Sequence, residues 1–288
     1  MKQVKRAVKN NSYRELYQWG CEELAIAKIE EAALDARLLL EEVCHTDRNY
    51  LLVHGDNPVL EEQSLSYTAY IGQRKKHIPL QYILGYQEFM GLRFKVSPDV
   101  LIPRQDTEVL VEEVMRYLHD GMRILDMCTG SGCILLSLLQ YSNDCIGVGC
   151  DISDKALAVA KENARVLNKE ATFIQSDLFE KIDGKFDIIV SNPPYIPTSV
   201  IDTLMPEVKE HEPFGALDGK EDGLFFYKKI VLRSVDYLQP GGMLFFEIGC
   251  EQAEAVSECM REAGYRDITV CKDLAGLDRV VYGTKNIF

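Results

Sequence analysis

Apolar positions in roughly the first eighty residues recur at the spacing of amphipathic helices. Ser12 is placed to cap a helix carrying Leu16, Trp19 and Leu24, with Trp19 read as core rather than binding surface. A second helix over about 30–44 puts Leu34, Leu38 and Val43 near one face. A third passes through Leu65 and Ile71 toward Lys76 and stops at Pro79. Short helices bury little singly, so residues 1–80 predict a small helical bundle.

Near Leu80 the period changes. Gly91 to Val96 alternates apolar and charged residues, the period of a strand. With Phe89 before it and Leu101-Ile102 after Pro98, it predicts a β-hairpin in a linker over residues 81–105. Asp106 then caps a helix carrying Val109, Leu110 and Val114, which opens a third region, 106–288.

Beyond Arg123, strands and helices alternate. Apolar runs at Ile124–Cys128, Ile146–Cys150, Thr172–Ile174, Phe186–Val190 and Met243–Ile248 flank amphipathic stretches. One such stretch, opened by Ser153 or Asp154, carries Leu157, Ala160, Ala164 and Leu167 on one face. Repeated β-α-β units imply an α/β fold with a mostly parallel, doubly wound sheet. Two strands at Ile268–Cys271 and Val280–Tyr282 leave no room for a helix between them, so the final pair is antiparallel.

Charge narrows the partners. The net charge is −13, and residues 1–80 carry eleven Lys and Arg against twelve Asp and Glu. Almost all the negative excess therefore lies after Leu80, which argues against stable nucleic-acid binding. The basic start (Lys2, Lys5, Arg6, Lys9) lacks the apolar centre of a secretory signal, and no run is long enough to span a membrane. A cytoplasmic protein is expected. Its nine cysteines contain no Cys-x-x-Cys pair, so they read as reduced, mostly buried thiols, with no metal expected.

Three segments carry chemistry. Asp126-Met-Cys128-Thr129-Gly130-Ser131-Gly132 follows a strand and precedes a helix, where glycines let backbone approach a ligand. Asp126 is read either as a cofactor contact or as a support for the loop. Asp151, about twenty residues past the loop at the end of the next strand, suits the ribose hydroxyls of an adenosine cofactor; a helix cap is the other reading. Asp177 suits the adenine amino group with Leu178 against the ring, and again a cap is the alternative.

The third segment is Asn192-Pro193-Pro194-Tyr195, at the end of the fourth apolar strand. Two prolines stiffen the backbone and remove donors, leaving carbonyl oxygens free to accept. The Asn192 side chain and the Pro193 carbonyl can hold both hydrogens of a planar –NH2 group, while Tyr195 offers an aromatic surface. Such a nitrogen shares its lone pair with a π-system, so positioning toward a sulfonium methyl is what it lacks. The methylated nitrogen is acidic enough to lose its proton to water, and no general base is assigned.

The chain resembles the peptide chain release factor glutamine methyltransferase family (PrmC/HemK) over nearly its whole length. The resemblance is carried by Leu34–Leu40, Pro79–Gly85, Glu88-Phe89, Leu101–Glu108, Glu212-Pro213, Ala216-Leu217, Glu247-Ile-Gly249 and Lys272–Arg279, besides the tetrad. It implies a helical substrate-binding domain before a Rossmann-like class I methyltransferase domain, whose mostly parallel seven-stranded sheet has an antiparallel last strand. It also implies S-adenosyl-L-methionine as donor, S-adenosyl-L-homocysteine as product, and the Gly-Gly-Gln glutamine of class I release factors as acceptor. Carried over with it are Cys128 to Gly132, Asp151, Leu178 and Asn192 as cofactor positions, and Asn192 to Tyr195 as the glutamine-binding motif. Cys128 replaces a common glycine, which a small thiol can do if its φ is negative, so cofactor binding is expected to survive; Gln105 replaces a common proline and is expected to affect only the hinge. Arg104 is read as a positioning residue or one side of an interdomain ion pair, and His211 as structural. The alternatives left open are glutamine methylation of a ribosomal protein, DNA adenine methylation, and a non-catalytic release-factor adaptor.

Overall fold

The computed structural model describes residues 11–286, so the basic residues Lys2, Lys5, Arg6 and Lys9 lie outside the described part. Two compact units emerge. The first holds the described residues up to Gly85 together with Pro206–His211; the second holds Tyr86–Met205 and the residues from Glu212 onward.

The first unit contains helices α1 (Tyr13–Ile26), α2 (Ala32–Cys44), α3 (Arg48–Val53), α4 (Glu61–Arg74) and α5 (Leu80–Leu84), joined later in the chain by α10 (Pro206–Lys209). Ser12 does cap α1, in a reciprocal capping box with Glu15. The apolar face of α2 differs from the expectation. Ala36, Leu39, Leu40 and Cys44 are buried while Leu34 is 40% exposed, and Asp35 turns inward with them. The physical reason is the Arg74 guanidinium, whose Nε lies 2.7 Å from Asp35 Oδ2 and draws that face inward. Helix α4 ends at Arg74 rather than at Pro79, which instead caps the short α5. Trp19 is half-buried and packs edge-on against Tyr67.

The second unit opens with a hairpin, β1 (Tyr86–Phe89) and β2 (Leu92–Lys95). Leu101-Ile102, expected in this hairpin, form no strand. Helix α6 (Asp106–Met115) follows with Gln105, not Asp106, at its N-cap; Asp106 is the first helical residue and pairs with Arg279 at 3.3 Å. Then come β3 (Arg123–Met127), α7 (Cys133–Gln140), β4 (Ile146–Asp151), α8 (Asp154–Val166), β5 (Thr172–Gln175) and β6 (Phe186–Ser191). The short α9 (Thr198–Ile201) and α11 (Phe214–Leu217) precede α12 (Phe225–Tyr237), β7 (Leu238–Glu247), α13 (Ala253–Glu262), β8 (Tyr265–Lys272) and β9 (Asp278–Lys285). Ser153 is the cap of α8, accepting from the Ala156 amide at 3.1 Å.

The seven-stranded sheet runs β5-β4-β3-β6-β7-β9-β8. Every pairing from β5 to β7 is parallel, and β9 is antiparallel to both neighbours. Buried Leu125, Ile189 and Phe246 join one core layer of the sheet, and Ile124, Ile188 and Phe245 join the other. Burial on both sides is why these strands read as continuous apolar runs. Among the described residues no helix is long and apolar enough to cross a membrane.

Candidate functional site

Strand register gathers the chemistry at one edge. Met127 lies beside Cys150 on β4 and beside Ser191 on β6, Asp151 lies beside Gln175 on β5, and Ser191 lies beside Phe246 on β7. The next residues along these strands therefore emerge together at their carboxyl ends, where open α/β sheets bind ligands. A cavity of about 480 Å³ sits there, within the usual range for a cofactor pocket. Its walls include Cys128, Thr129, Gly130, Ser131, Asp151, Asp177, Leu178, Asn192 and Pro194. Asp126, Gly132, Pro193 and Tyr195 are not among the wall residues.

Asp126 is fully buried and holds the loop. Its Oδ2 accepts from the Thr129 hydroxyl at 2.6 Å and the Leu135 amide at 3.3 Å, while Oδ1 has no partner. Burial pushes its carboxyl up to about 7, against those two hydrogen bonds. Gly130 has φ +54, and a Cβ there would meet nothing within 4 Å, so its backbone faces open cavity. Buried Asn163 steadies the loop from α8, donating to the Ser131 carbonyl at 2.9 Å.

Cys128 does not meet the condition of negative φ under which a thiol fits easily: its φ is +62. The loop turns left-handed at this position, which is why a glycine suits it, and the thiol is accommodated at a conformational cost. Burial drives its thiol well above the usual range, which disfavours the nucleophilic thiolate.

Asp151 Oδ2 accepts from the Gly130 amide and Oδ1 from the Ser153 amide, each at 2.9 Å. Each oxygen keeps a lone pair for a ligand hydroxyl. Burial raises this carboxyl despite those amides. Asp177 is exposed and Leu178 half-buried on the cavity wall, the latter at φ +48.

Asn192 Nδ2 lies 3.5 Å from Thr107 Oγ1, and the Tyr195 hydroxyl donates to Glu247 Oε1 at 3.3 Å. The Tyr195 carbonyl accepts from Gln252 Nε2 at 3.0 Å. After the tetrad the chain folds back on itself, with the Gly219 amide donating to the Ile196 carbonyl at 2.8 Å. A Cβ on Gly219 would stand 2.7 Å from the Tyr195 backbone, so only glycine fits. Thr107, Gly219, Glu247 and Gln252 were not singled out in the sequence as site residues. Thr107 and Glu247 do lie in segments that carried the resemblance, which was the available signal.

Arg104 lines the cavity and pairs with buried Glu212 at 2.6 Å; both belong to the second unit, so the pair is not an interdomain one. His211 Nε2 lies 3.1 Å from the Lys76 carbonyl in the first unit. All nine cysteines are free, with Cys44, Cys133 and Cys150 buried and Cys250 exposed. Among the described residues no group of three or more His, Cys, Asp or Glu could hold a metal ion.

The family model described as the PrmC N-terminal domain matches residues 15–85, and the methyltransferase small domain matches residues 104–206. The chain is 44% identical over 271 residues to the release factor glutamine methyltransferase of Geobacter sulfurreducens, covering 94% of this chain and 95% of that one. It is 42% identical over 266 residues to the protein of the same name from Clostridium botulinum, covering 90% and 94%. Among solved structures, a methyltransferase from Pyrococcus furiosus shares the fold with a TM-score of 0.53 at 17% identity, over 68% of this chain and 90% of that one.

Proposed function

The chain belongs to the release factor glutamine methyltransferase family, and on that premise we propose that it methylates the side-chain nitrogen of the glutamine in the Gly-Gly-Gln motif of class I release factors, using S-adenosyl-L-methionine. The observation that carries this reading is that Asn192 and Pro194 wall the same cavity as the glycine loop and Asp151. On one side Asn192 brings an acceptor suited to an –NH2 group, and the other side has features suited to an adenosine.

The cavity fits the cofactor. Its volume, the exposed backbone at Gly130 and the inward carboxylate of Asp151 suit a nucleoside, with Asp177 and Leu178 at the base end. When bound, S-adenosyl-L-methionine supplies an electrophilic sulfonium methyl. Asn192 Oδ1 and the Pro193 carbonyl accept the two amide hydrogens of the glutamine, which fixes the nitrogen's position and orientation. The rigid Pro193-Pro194 backbone keeps that acceptor pair preorganised, so little reorganisation is needed as charge develops. The proton leaves to water. The helical unit is the proposed grip on the release factor, and the net charge of −13 favours a basic partner surface. A translation factor as substrate points to the cytoplasm.

The test is incubation with labelled methyl donor and purified release factor, followed by mass mapping. One methyl group on the Gly-Gly-Gln glutamine is expected, and none on a Gln→Ala control of that motif. Label on a ribosomal-protein glutamine or on duplex DNA, with the release factor unlabelled, overturns the reading.

A further inference from the structure

Gln252 stands at the N-cap of α13, a position where Ser, Thr, Asp or Asn usually turn back to hold the helix amides. Its side chain makes no such cap bond and reaches across to the tetrad instead. Oε1 accepts from the Gly249 amide, just past the end of β7, at 2.9 Å. Nε2 presents its two hydrogens to carbonyls, that of Tyr195 at 3.0 Å and that of Gly223 at 3.4 Å. The partners fix which way the amide points, since an N–H faces one end and two C=O groups face the other. Space around it is tight. A Cβ on Gly223 would stand 2.4 Å from the Tyr195 oxygen and 2.6 Å from Gln252 Nε2.

We propose that Gln252 is a positioning residue for methyl transfer, holding the far end of the tetrad so that the Pro193 carbonyl keeps its aim at the substrate amide. Pro193 and Pro194 have no amide hydrogen, so neither can donate a hydrogen bond to anchor the middle of the tetrad. The near end follows Ser191, which is fixed in β6 between Met127 and Phe246, with its hydroxyl donating to the Met127 carbonyl at 2.6 Å. The far end has left the sheet, and there the Gln252 amide supplies the donor that the prolines lack. Each proline ring locks φ at about −65°, so the segment between the two ends moves as a stiff piece. A rotation at Tyr195 is therefore passed back to the Pro193 carbonyl, and a displacement of about an ångström is enough to spoil alignment for transfer. The glycine loop and Asp151 are carried by β3 and β4, whereas this clamp joins the chain after β6 and β7 to α13, so cofactor binding is spared. The assignment rests on the proposed glutamine-amide acceptor, but the clamp itself belongs to the free enzyme.

Gln252→Glu is the diagnostic substitution, because it keeps the shape and the acceptor for Gly249 but sets an oxygen against two carbonyls. The expected result is a fall in kcat of about tenfold to a hundredfold, with the dissociation constant for S-adenosyl-L-methionine within about twofold of the parent. Gln252→Met, which removes the donor without adding the repulsion, should lose less. Should Gln252→Glu fail to fold, Gln252→Met is judged by the same measurements. Gly223→Ala puts a methyl group into the same hydrogen bond and should reproduce the loss; paired with Gln252→Glu it should cost less than the product of the two single losses. Full-length protein labelled with 13C-carbonyl tyrosine and 15N-isoleucine has three Tyr-Ile junctions, at Tyr70, Tyr82 and Tyr195. The Tyr195 carbonyl signal, assigned as the one lost in Tyr195→Phe, should move upfield on Gln252→Glu in the absence of substrate. An unmoved carbonyl signal, parental kcat in Gln252→Glu, or a cofactor affinity that falls as far as kcat overturns the proposal. If the unsubstituted enzyme leaves release factors unmethylated, the glutamine reading fails instead, and the carbonyl signal still judges the clamp.

Discussion

The Gly130 amide donates to Asp151 Oδ2 at 2.9 Å, so the carboxylate that faces the cavity also holds the turn of the glycine loop. Asp151→Ala should therefore act twice. Cofactor affinity should fall at least tenfold by calorimetric titration, and the loss of an acceptor for two amides should cost about 1–3 kcal/mol in urea unfolding. Weakened affinity with unchanged stability would show that the loop does not depend on this carboxylate.

Cys128 at φ +62 makes a prediction about shape. A β-branched residue suffers more there than a thiol, so Cys128→Val should lose about 1–2 kcal/mol. Cys128→Gly should unfold within about 1 kcal/mol of the parent, since relief at positive φ offsets the extra freedom of the unfolded glycine. Equal stabilities for the Val and Gly variants would contradict the left-handed turn.

The buried Asp126 carboxyl gives a pH signature. With its pKa at about 7 in the fold and near 4 unfolded, the native state binds the extra proton between those values. This contribution is most favourable at low pH and is lost as pH rises through 7. Asp126→Asn has no such titration. Its stability relative to the parent should improve from pH 4 to pH 8 by up to about 4 kcal/mol, measured by denaturant unfolding across that range. A pH-independent difference would mean that the carboxyl is ionised throughout.

Gly219 packs against the backbone of Tyr195 with no space for a methyl group. Gly219→Ala should displace the tetrad and lower kcat about a hundredfold, comparable to a small misplacement in other sites. Gly215→Ala, where a Cβ meets nothing within 4 Å, is the control and should fold with parental stability.

In the helical unit, Arg74 is shared between Asp35 at 2.7 Å and Glu207 at 3.0 Å, and His77 Nδ1 also meets Glu207 at 2.9 Å. Arg74→Met leaves buried Asp35 unpaired and should cost about 3–5 kcal/mol. Adding Asp35→Leu should recover a large part of that loss in the same thermal or urea assay, because an apolar pair needs no compensation. No recovery would show that the cost lies in packing alone.

The two regions were legible to different depths. The parallel strands could be read because burial on both faces demands apolar runs, and the hairpin because one face alternates with the other. The face of α2 was misjudged: its leucines are nearly all round, and the choice among them followed from Arg74 on another helix. The short α3, α5, α9 and α11 carried no periodic signal, since a turn or two of helix is too brief to repeat one. The tetrad and glycine loop stood out because their chemistry is local to a few consecutive residues.

Local chain order thus determined the α/β alternation, the antiparallel final pair and the succession of loop, acid and tetrad, because periodicity and backbone restriction act between neighbours in sequence. The fold decided what those residues do to one another. It set Cys128 left-handed, turned Asp126 from the cavity toward Thr129, and brought Asn192 to Thr107 and Tyr195 to Glu247. A hydrogen bond forms only where donor and acceptor come within about 3 Å, and between groups far apart in sequence only strand register and helix packing fix distances on that scale.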